Sequence, residues 1–298
     1  MKHKIRGCFS VMVTPFGDDG AVNEASLRRY VEWQIVQGIH GLIPLGSTGE
    51  FLSMSDEEKT RVASVVIDQT KKRVPVLVGT GAESTDDVIR YSVEAERLGA
   101  DGVMIIPPFY STPTEDELFE HYRRIGDKVG IPIMIYNNPA TANVDMTPRI
   151  VARLSEIDNV KYIKESTMDV TRIRDILEFS QGRITVFGGI MGYESFLEGA
   201  EGWVSVGSNI LPEACAALFV ECADKLNVRR GREIYHQITP LLRLVGGHRY
   251  VSATKTALNL MGFSVGKPRP PRLPSPRHEI DEVAAVLNSV GVALKAVA

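Results

Sequence analysis

Cysteine is scarce in this 298-residue chain: Cys8, Cys215 and Cys222 form no CxxC pair and leave an odd count. A disulfide framework is therefore not expected, and core packing is the favoured role of these thiols. No apolar run approaches the ~20 residues of a membrane span, and no apolar signal-peptide core follows the basic start. The net charge of −3 gives no reason to expect nucleic acid or a membrane surface as a partner. We therefore expect a cytoplasmic protein.

Two patterns that would indicate a cofactor or a metal are also missing. No GxGxxG follows the first strand-like run, where Val13-Thr14-Pro15-Phe16 stands instead, and this argues against a doubly wound dinucleotide-binding sheet. The histidines show neither HxH nor HxxxH spacing. They are His3, His40, His121, His236, His248 and His278. The sequence therefore predicts no cofactor and no metal.

Short apolar runs, rich in β-branched residues, alternate regularly with amphipathic helical stretches. The eight strand candidates are Cys8–Val13, Gly41–Leu45, Val76–Gly79, Gly102–Ile106, Ile133–Tyr136, Val160–Lys164, Ile184–Phe187 and Gly202–Val206. Near-continuous apolar runs are typical of parallel strands that are covered on both faces. Eight such units predict an α/β fold, a (β/α)₈ TIM barrel of typically ~250 residues.

The chain continues beyond the eighth strand with a helical pattern. Ser55–Glu58 and Thr114–Glu117 read as capping boxes that open two helices within the barrel. Further helices are predicted over Pro212–Lys225, Val228–Val245, Thr254–Met261 and roughly Glu279–Leu294, with a basic, proline-rich strap over residues 267–277 before the last one. We therefore predict a barrel catalytic domain at residues 1–210 and a C-terminal helical domain at residues 211–298.

Lys164 ends the sixth strand candidate, Val160–Lys164. The carboxyl ends of barrel strands face the active-site mouth, whereas a lysine normally lies in water. Burial there disfavours the ammonium and lowers the lysine pKa from ~10.4, so that the amine can attack a ketone. The alternative is an ion pair with Glu165 or another carboxylate. That role suits Lys161 better, because Lys161 lies at the start of the strand, and we favour Schiff-base chemistry for Lys164.

Hydroxyl groups and phenols stand at the ends of other strands. The turn Gly46–Glu50 can present backbone N–H groups and the hydroxyls of Ser47 and Thr48 to a carboxylate such as that of a 2-oxo acid. A helix-capping turn is the alternative interpretation. Tyr136 can relay protons as a phenol or can be an amphipathic aromatic at the barrel rim, and Tyr110 has the same two interpretations.

With these residues in place, the chain resembles the dihydrodipicolinate synthase / N-acetylneuraminate lyase family of class I aldolase-like barrels. The resemblance runs over essentially the whole length, and its most specific segments are Gly46-Ser47-Thr48-Gly49-Glu50, Tyr136-Asn137-Asn138-Pro139 and Ile163-Lys164-Glu165. It implies a homo-oligomer, usually a tetramer built as a dimer of dimers. It also implies an enzyme of the lyase class that acts on a small-molecule 2-oxo acid.

The resemblance also implies roles for individual residues. Lys164 would form the Schiff base, and Tyr136 would be the acid/base phenol. Tyr110 would enter from a neighbouring subunit and complete a Tyr–Ser–Tyr proton relay through Ser47. The implied substrate-binding positions are Ser47, Thr48, Thr141, Gly188 and Val204.

Two departures from the family patterns bear on the reaction. Thr141 stands where the synthases of lysine biosynthesis carry an arginine that grips a second carboxylate, and threonine has no charged fork. The segment Gly188–Gly192 lacks the acidic pair of the sialic-acid lyases. We therefore expect a catabolic lyase for a small 2-oxo acid or cyclic imine acid, such as a 2-oxo-3-deoxy acid aldolase or dehydratase, or a hydroxypyrroline-carboxylate deaminase. The alternative in the same family is a genuine 4-hydroxy-tetrahydrodipicolinate synthase.

Two functions from other classes compete with this interpretation. Glycines at Gly188-Gly189 and in Val206-Gly207-Ser208 follow strands seven and eight, where many barrels bind phosphate, so a phosphate-binding sugar isomerase is one rival. A non-catalytic ligand sensor on an enzyme scaffold is the other. The intact lysine and both tyrosines count against the sensor.

Overall fold

The computed structural model describes residues 5–247 and 249–295, and in it eight short strands form a parallel ring. The strands are β1 (Gly7–Val11), β2 (Gly41–Ile43), β3 (Leu77–Gly79), β4 (Gly102–Ile105), β5 (Ile133–Asn137), β6 (Val160–Glu165), β7 (Thr185–Gly188) and β8 (Gly202–Ser205). Their order around the sheet is β2-β1-β8-β7-β6-β5-β4-β3. Each strand coincides with a predicted one to within two residues at either end.

The ring closes between β2 and the segment that leads into β3. Leu42 N donates to Pro75 O at 3.0 Å, and Gly79 N donates to Pro44 O at 2.9 Å. Leu42 also forms a parallel bridge with Val76. The (β/α)₈ barrel predicted from the alternation is therefore confirmed.

Twelve helices accompany the strands within the described residues. They are α1 (Glu24–Val36), α2 (Asp56–Thr70), α3 (Thr85–Leu98), α4 (Glu115–Gly126), α5 (Pro139–Ala142), α6 (Pro148–Leu154), α7 (Thr171–Phe179), α8 (Gly192–Leu197), α9 (Pro212–Phe219), α10 (Val228–Leu244), α11 (Tyr250–Leu260) and α12 (Arg277–Ser289). Both predicted capping boxes are present, with Ser55 opening α2 and Thr114 opening α4. No helix in residues 5–247 and 249–295 is long and apolar enough to cross a membrane.

Two apolar layers hold the barrel together. Inside the ring, Phe9 and Phe187 meet edge to face with 5.4 Å between their centroids, and Val204 is fully buried in the same layer. The larger layer lies between the strands and the surrounding helices. Cys8 and Cys215 are among its buried residues, and all three cysteines of the chain are free, as core packing requires.

The helices after β8 form two groups. α9 packs against β1 and belongs to the layer that covers the strands. α10, α11 and α12 share a smaller core of their own that includes Leu241, Ala257 and Leu287. The single helix predicted over Pro212–Lys225 is in fact α9 followed by a π-helical turn, Val220–Asp224.

Candidate active site

Lys164 and Tyr136 lie side by side at the carboxyl ends of β6 and β5, where the register of the two strands pairs them. The Nζ atom of Lys164 is 3.9 Å from the centroid of the Tyr136 ring. The lysine is 6 % exposed and the tyrosine 7 %, so both reach the mouth of the barrel from its interior. Within the described residues no carboxylate forms a salt bridge with Lys164, which removes the main support for the ion-pair interpretation.

Glu165, the carboxylate next in sequence, is occupied elsewhere. Its two oxygens accept hydrogen bonds from Asn137 Nδ2 at 3.0 Å and from the Thr167 amide at 2.8 Å. Arg172 Nε lies 3.8 Å from the same carboxylate. Asn137 also accepts a hydrogen bond from the Met146 amide at 3.0 Å. Glu165 therefore fixes the loops that follow β5 and β6. It does not form an ion pair with the neighbouring Lys164.

A cavity of about 170 Å³ opens above Lys164 and Tyr136. Its lining includes the hydroxyl groups of Ser47, Thr48 and Thr141 and the apolar side chains of Val206, Leu242 and Val245. Of the described residues that line it, Lys164 alone carries a cationic side chain. A small molecule with one carboxylate and a neutral remainder matches this lining in polarity and size.

The turn after β2 brings Ser47 and Thr48 to the cavity wall. Ser47–Gly49 form one turn of 3₁₀ helix, in which the Gly49 amide donates to Gly46 O at 2.9 Å. Thr14 Oγ1 donates to Gly49 O at 2.8 Å and ties the turn to the loop after β1. The helix-capping alternative does not describe this turn, because α2 begins later and is capped by Ser55.

Tyr136 has a hydrogen-bond partner at the rim. Asn138 Nδ2 donates to the Tyr136 hydroxyl at 3.0 Å, so the phenol oxygen is held in place while its ring covers the lysine. Asn138 also accepts a hydrogen bond from Thr141 Oγ1 at 3.3 Å. A phenol fixed beside an amine is suited to passing a proton to or from a substrate bound there.

Thr141 lies on α5 and lines the cavity with an exposed side chain. Arg249, which could have supplied the missing positive charge, points elsewhere. Its guanidinium contacts Glu279 at 2.9 Å and donates to Pro274 O at 2.9 Å. Among the described residues that line the cavity, no arginine accompanies Thr141.

Tyr110 does not reach the cavity of its own chain, and its side chain is 86 % exposed. The loop that carries it is nevertheless held firmly. Glu83 accepts hydrogen bonds from the amides of Phe109, Tyr110 and Ser111 at 2.9, 3.1 and 2.8 Å. Burial raises the pKa of the Glu83 carboxyl, but these hydrogen bonds outweigh burial and hold it below its usual value. The tyrosine is thus presented outward on a fixed loop.

Gly188 and Val204, two of the expected substrate-binding positions, do not line the cavity. A Cβ atom at Gly188 would lie 2.3 Å from Ser195 Oγ of α8, so this residue faces the helix layer. Val204 is fully buried inside the ring. The residues that reach the cavity lie one or two positions further along: Gly189, Ser205 and Val206.

Two polar residues of the cavity, Ser166 and Tyr250, were not among the predicted site residues. Ser166 Oγ is buried without a hydrogen-bond partner among the described residues. A Cβ atom added at Gly189 would lie only 1.7 Å from this oxygen, so the glycine leaves room for the serine hydroxyl. Tyr250, the first residue of α11, reaches the cavity from the C-terminal helices. Burial raises the pKa of the Tyr250 hydroxyl. Ser166 follows β6 directly, so its strand-end position could have identified it, whereas Tyr250 is brought to the site only by the packing of the C-terminal helices.

The loop after β8 is fixed by one buried amide. Asn209 Nδ2 donates to Val11 O at 3.0 Å and to Val206 O at 2.8 Å, while its Oδ1 accepts from the Val13 amide at 3.2 Å. This side chain joins the ends of β1 and β8 and sets Val206 at the cavity wall.

The described residues contain no group of three His, Cys, Asp or Glu side chains that could hold a metal ion. His3 and His248, which entered the histidine argument, lie outside the described residues.

A (β/α)₈ barrel with a buried lysine and phenol at the carboxyl ends of its strands is an enzyme scaffold. The family model described as the dihydrodipicolinate synthetase family matches residues 4–290. The chain belongs to this family, and the predicted resemblance is confirmed. Family members are lyases, so the prediction of a lyase-class enzyme is confirmed as well, against the non-catalytic sensor and the sugar isomerase.

Relatives and solved structures agree with this membership. A 4-hydroxy-tetrahydrodipicolinate synthase of Thermodesulfovibrio yellowstonii is 34 % identical over 96 % of this chain and 99 % of its own length. One from Pelobacter propionicus is 36 % identical over the same shares. The structure of a chloride-inhibited dihydrodipicolinate synthase from Acinetobacter baumannii, complexed with pyruvate, superposes with a TM-score of 0.94 at 32 % identity. That match covers 97 % of this chain and 100 % of the other.

Proposed function

We propose that this protein is a Schiff-base-forming lyase in which Lys164 attacks the ketone of pyruvate or another small 2-oxo acid. The observation that carries the proposal is the buried Lys164 amine against the Tyr136 ring, in a cavity whose wall holds Ser47 and Thr48. The similar structure from Acinetobacter baumannii contains pyruvate, which supports pyruvate as the substrate that forms the adduct.

The chemistry follows from this arrangement. The neutral amine of Lys164 adds to the carbonyl carbon, the carbonyl oxygen leaves as water, and an iminium remains. The iminium draws electrons from the neighbouring C3, which then loses a proton to give an enamine. Tyr136 is placed to carry that proton, and the hydroxyls of Ser47 and Thr48 face the position of the substrate carboxylate. The enamine then adds to a second carbonyl compound. In the reverse direction, cleavage of that C–C bond releases the carbonyl compound and leaves the enamine on Lys164.

Deuterium exchange tests this proposal without knowledge of the second reactant. In D₂O the protein should replace the methyl protons of pyruvate by deuterium, because the iminium acidifies C3, and proton NMR measures the loss of the methyl signal. Lys164→Ala should abolish the exchange. Lys161→Ala is the matched control, since Lys161 lies on the same strand with its side chain exposed. Exchange that persists at the wild-type rate in Lys164→Ala would place the nucleophile elsewhere.

The names of the relatives favour one second reactant. Relatives at 34–36 % identity, such as those from Thermodesulfovibrio yellowstonii and Pelobacter propionicus, are named 4-hydroxy-tetrahydrodipicolinate synthases. They support condensation of pyruvate with aspartate semialdehyde more directly than any observation supports the catabolic reaction. The synthase is therefore the candidate to be tested first, and the catabolic aldolase, dehydratase or deaminase stays a prediction.

Thr141 argues against the synthase reaction. Because no arginine lines the cavity within the described residues, the second carboxylate of aspartate semialdehyde would lack a charged hydrogen bond. Such a bond is worth ~1.5–3 kcal/mol. At ~1.4 kcal/mol per decade this lowers kcat/KM for condensation by roughly ten- to a hundredfold. We expect Thr141→Arg to raise condensation with aspartate semialdehyde while leaving pyruvate deuteration unchanged. Efficient condensation by the wild-type protein, with no gain from Thr141→Arg, would identify it as the synthase and end the catabolic prediction.

A further inference from the structure

A lysine that the proposed mechanism does not use is buried beside the substrate-carboxylate turn. Lys255 of α11 is 1 % exposed, and its Nζ atom lies 2.7 Å from Glu50 Oε1. Glu50 follows Ser47, Thr48 and Gly49 directly and is itself 2 % exposed. An ion pair this deeply buried therefore joins the C-terminal helices to the turn at the cavity wall.

The pair is enclosed by groups from two further segments, the loop after β1 and the proline-rich strap. The ammonium of Lys255 lies 4.1 Å from the centroid of the Phe16 ring and donates to Lys267 O at 3.1 Å. The second oxygen of Glu50 accepts a hydrogen bond from the Arg269 amide at 2.8 Å. Burial lowers the pKa of Lys255 to about 8, and the Glu50 carboxylate opposes that shift.

The proline-rich strap of residues 267–277, together with the two residues before it, closes over the pair at short range. The Phe16 amide donates to Val265 O at 3.1 Å. Gly266 has φ +70° and lies so near the Phe16 backbone that a Cβ atom there would be 2.1 Å from Phe16 O. The Arg269 guanidinium donates to Ser53 O at 2.7 Å and pairs with Glu58. The strap is thereby fixed to both loops that flank the turn.

Stability alone does not account for such a pair. Well-packed apolar residues in place of a buried ion pair often leave stability unchanged or improve it, so burial of the charges is weak evidence for a stabilising role. The pair lies at an unusual backbone conformation. Glu50 has φ +61°, a left-handed conformation that is uncommon for a residue other than glycine and is kept only where its surroundings enforce it.

We propose that Lys255 is a positioning residue: by holding the Glu50 carboxylate, it sets the turn of Ser47 and Thr48 in the geometry that receives the substrate carboxylate. The inference rests on the proposed function, because it takes this turn as the carboxylate site. The same helix, α11, begins with Tyr250 at the cavity. One C-terminal element therefore contributes to the site directly through Tyr250 and indirectly through Lys255.

Variants of the pair separate positioning from stability. Lys255→Met leaves the Glu50 charge buried and unpaired, and we expect the KM for pyruvate deuteration to rise about ten- to a hundredfold, since small misplacements of binding groups have effects of this size. The kcat should fall by less than the KM rises, because Lys164 and Tyr136 are untouched and only the turn that carries Ser47 and Thr48 shifts. The control is Lys225→Met, which removes an exposed lysine paired with Glu221 at 2.8 Å and should leave KM unchanged.

The double variant Lys255→Met/Glu50→Gln covers the case in which the single variant does not fold, and its glutamine can still accept the hydrogen bond from the Arg269 amide. It removes both charges, so its urea midpoint should return to near the wild-type value while its KM stays raised. A double variant that regains the wild-type KM together with the wild-type stability would show that the pair is only structural. Wild-type protein that fails to deuterate pyruvate at all would instead overturn the proposed function, and the role of Lys255 with it.

Discussion

Lys164 and Tyr136 form a pair whose geometry carries most of the chemical argument. A lysine 6 % exposed, with a phenol ring 3.9 Å from its Nζ and no carboxylate partner among the described residues, is not arranged as a structural ion pair. The neighbouring carboxylate of Glu165 is satisfied by Asn137 and Thr167. The sequence could identify both residues because each ends an apolar strand, and strand ends meet at one face of a barrel.

Removing the Tyr136 hydroxyl tests its part in proton transfer. Tyr136→Phe should lower kcat for pyruvate deuteration by about 10²–10⁴, the usual contribution of general acid/base catalysis. The matched control is Tyr162→Phe on β6, whose hydroxyl accepts from the Ile5 amide at 3.1 Å, at the start of the chain's described residues. Near wild-type kcat in Tyr136→Phe would return Tyr136 to the role of a rim aromatic.

Single positions were harder to predict than strands. Gly188 and Val204 were expected at the substrate, but Gly189 and Ser205, each one residue further along, line the cavity. A shift of one residue moves a side chain to the other face of a strand, and a pattern of apolar letters does not fix where the strand ends and the loop begins. The sequence pattern therefore points to a segment, but it does not identify which residue of that segment reaches the cavity.

At the scale of elements, the packing of α3 against α4 includes a buried histidine. His121 on α4 is 5 % exposed, and its Nδ1 lies 2.9 Å from Thr85 Oγ1 at the start of α3. Burial lowers the pKa of His121 from 6.5 to about 4, with Arg124 acting in the same direction. The folded protein therefore keeps His121 neutral at pH values where the unfolded chain protonates it.

This difference predicts a loss of stability in acid. Above pH 6.5 the histidine is neutral in both states, and the stabilisation is fully present; as the pH falls from 6.5 towards 4, only the unfolded chain takes up the proton. At ~1.4 kcal/mol per unit, the free energy of unfolding should fall by about 3 kcal/mol on this account. Urea titrations at several pH values should show a shallower acid dependence in His121→Gln, and the same dependence as wild type in the exposed variant His236→Gln. If the free energy of unfolding falls equally with pH in wild type and in His121→Gln, His121 is not the cause of the acid destabilisation.

The helices after β8 show where sequence patterns stop being informative. Their positions follow from periodicity, but the contacts of Lys255 with Glu50 and of Tyr250 with the cavity join segments about two hundred residues apart. Lysine and tyrosine in a helix are ordinary surface residues in the absence of a structure. Only the folded arrangement of α11 and the strap shows that both belong to the site.

For the whole molecule, the exposed Tyr110 predicts a site completed by a second copy of the chain. The family resemblance implies insertion of this tyrosine into a neighbouring subunit, and the outward-facing loop held by Glu83 is consistent with that. We expect Tyr110→Phe to be nearly inactive in deuteration. Mixing Tyr110→Phe with Lys164→Ala after reversible dissociation should restore part of the activity, because some sites then combine an intact lysine with an intact tyrosine. A mixture with no more activity than its components would place Tyr110 outside the relay.

The central claim concerns a single covalent bond, between Lys164 and the carbonyl carbon of a 2-oxo acid. Incubation with pyruvate and sodium borohydride, followed by intact mass and peptide mapping, measures that bond directly. The account predicts one reduced pyruvate adduct per chain, located on Lys164, absent from Lys164→Ala and unchanged in Lys161→Ala. An adduct that survives Lys164→Ala in undiminished yield, or no adduct with any 2-oxo acid, would contradict it.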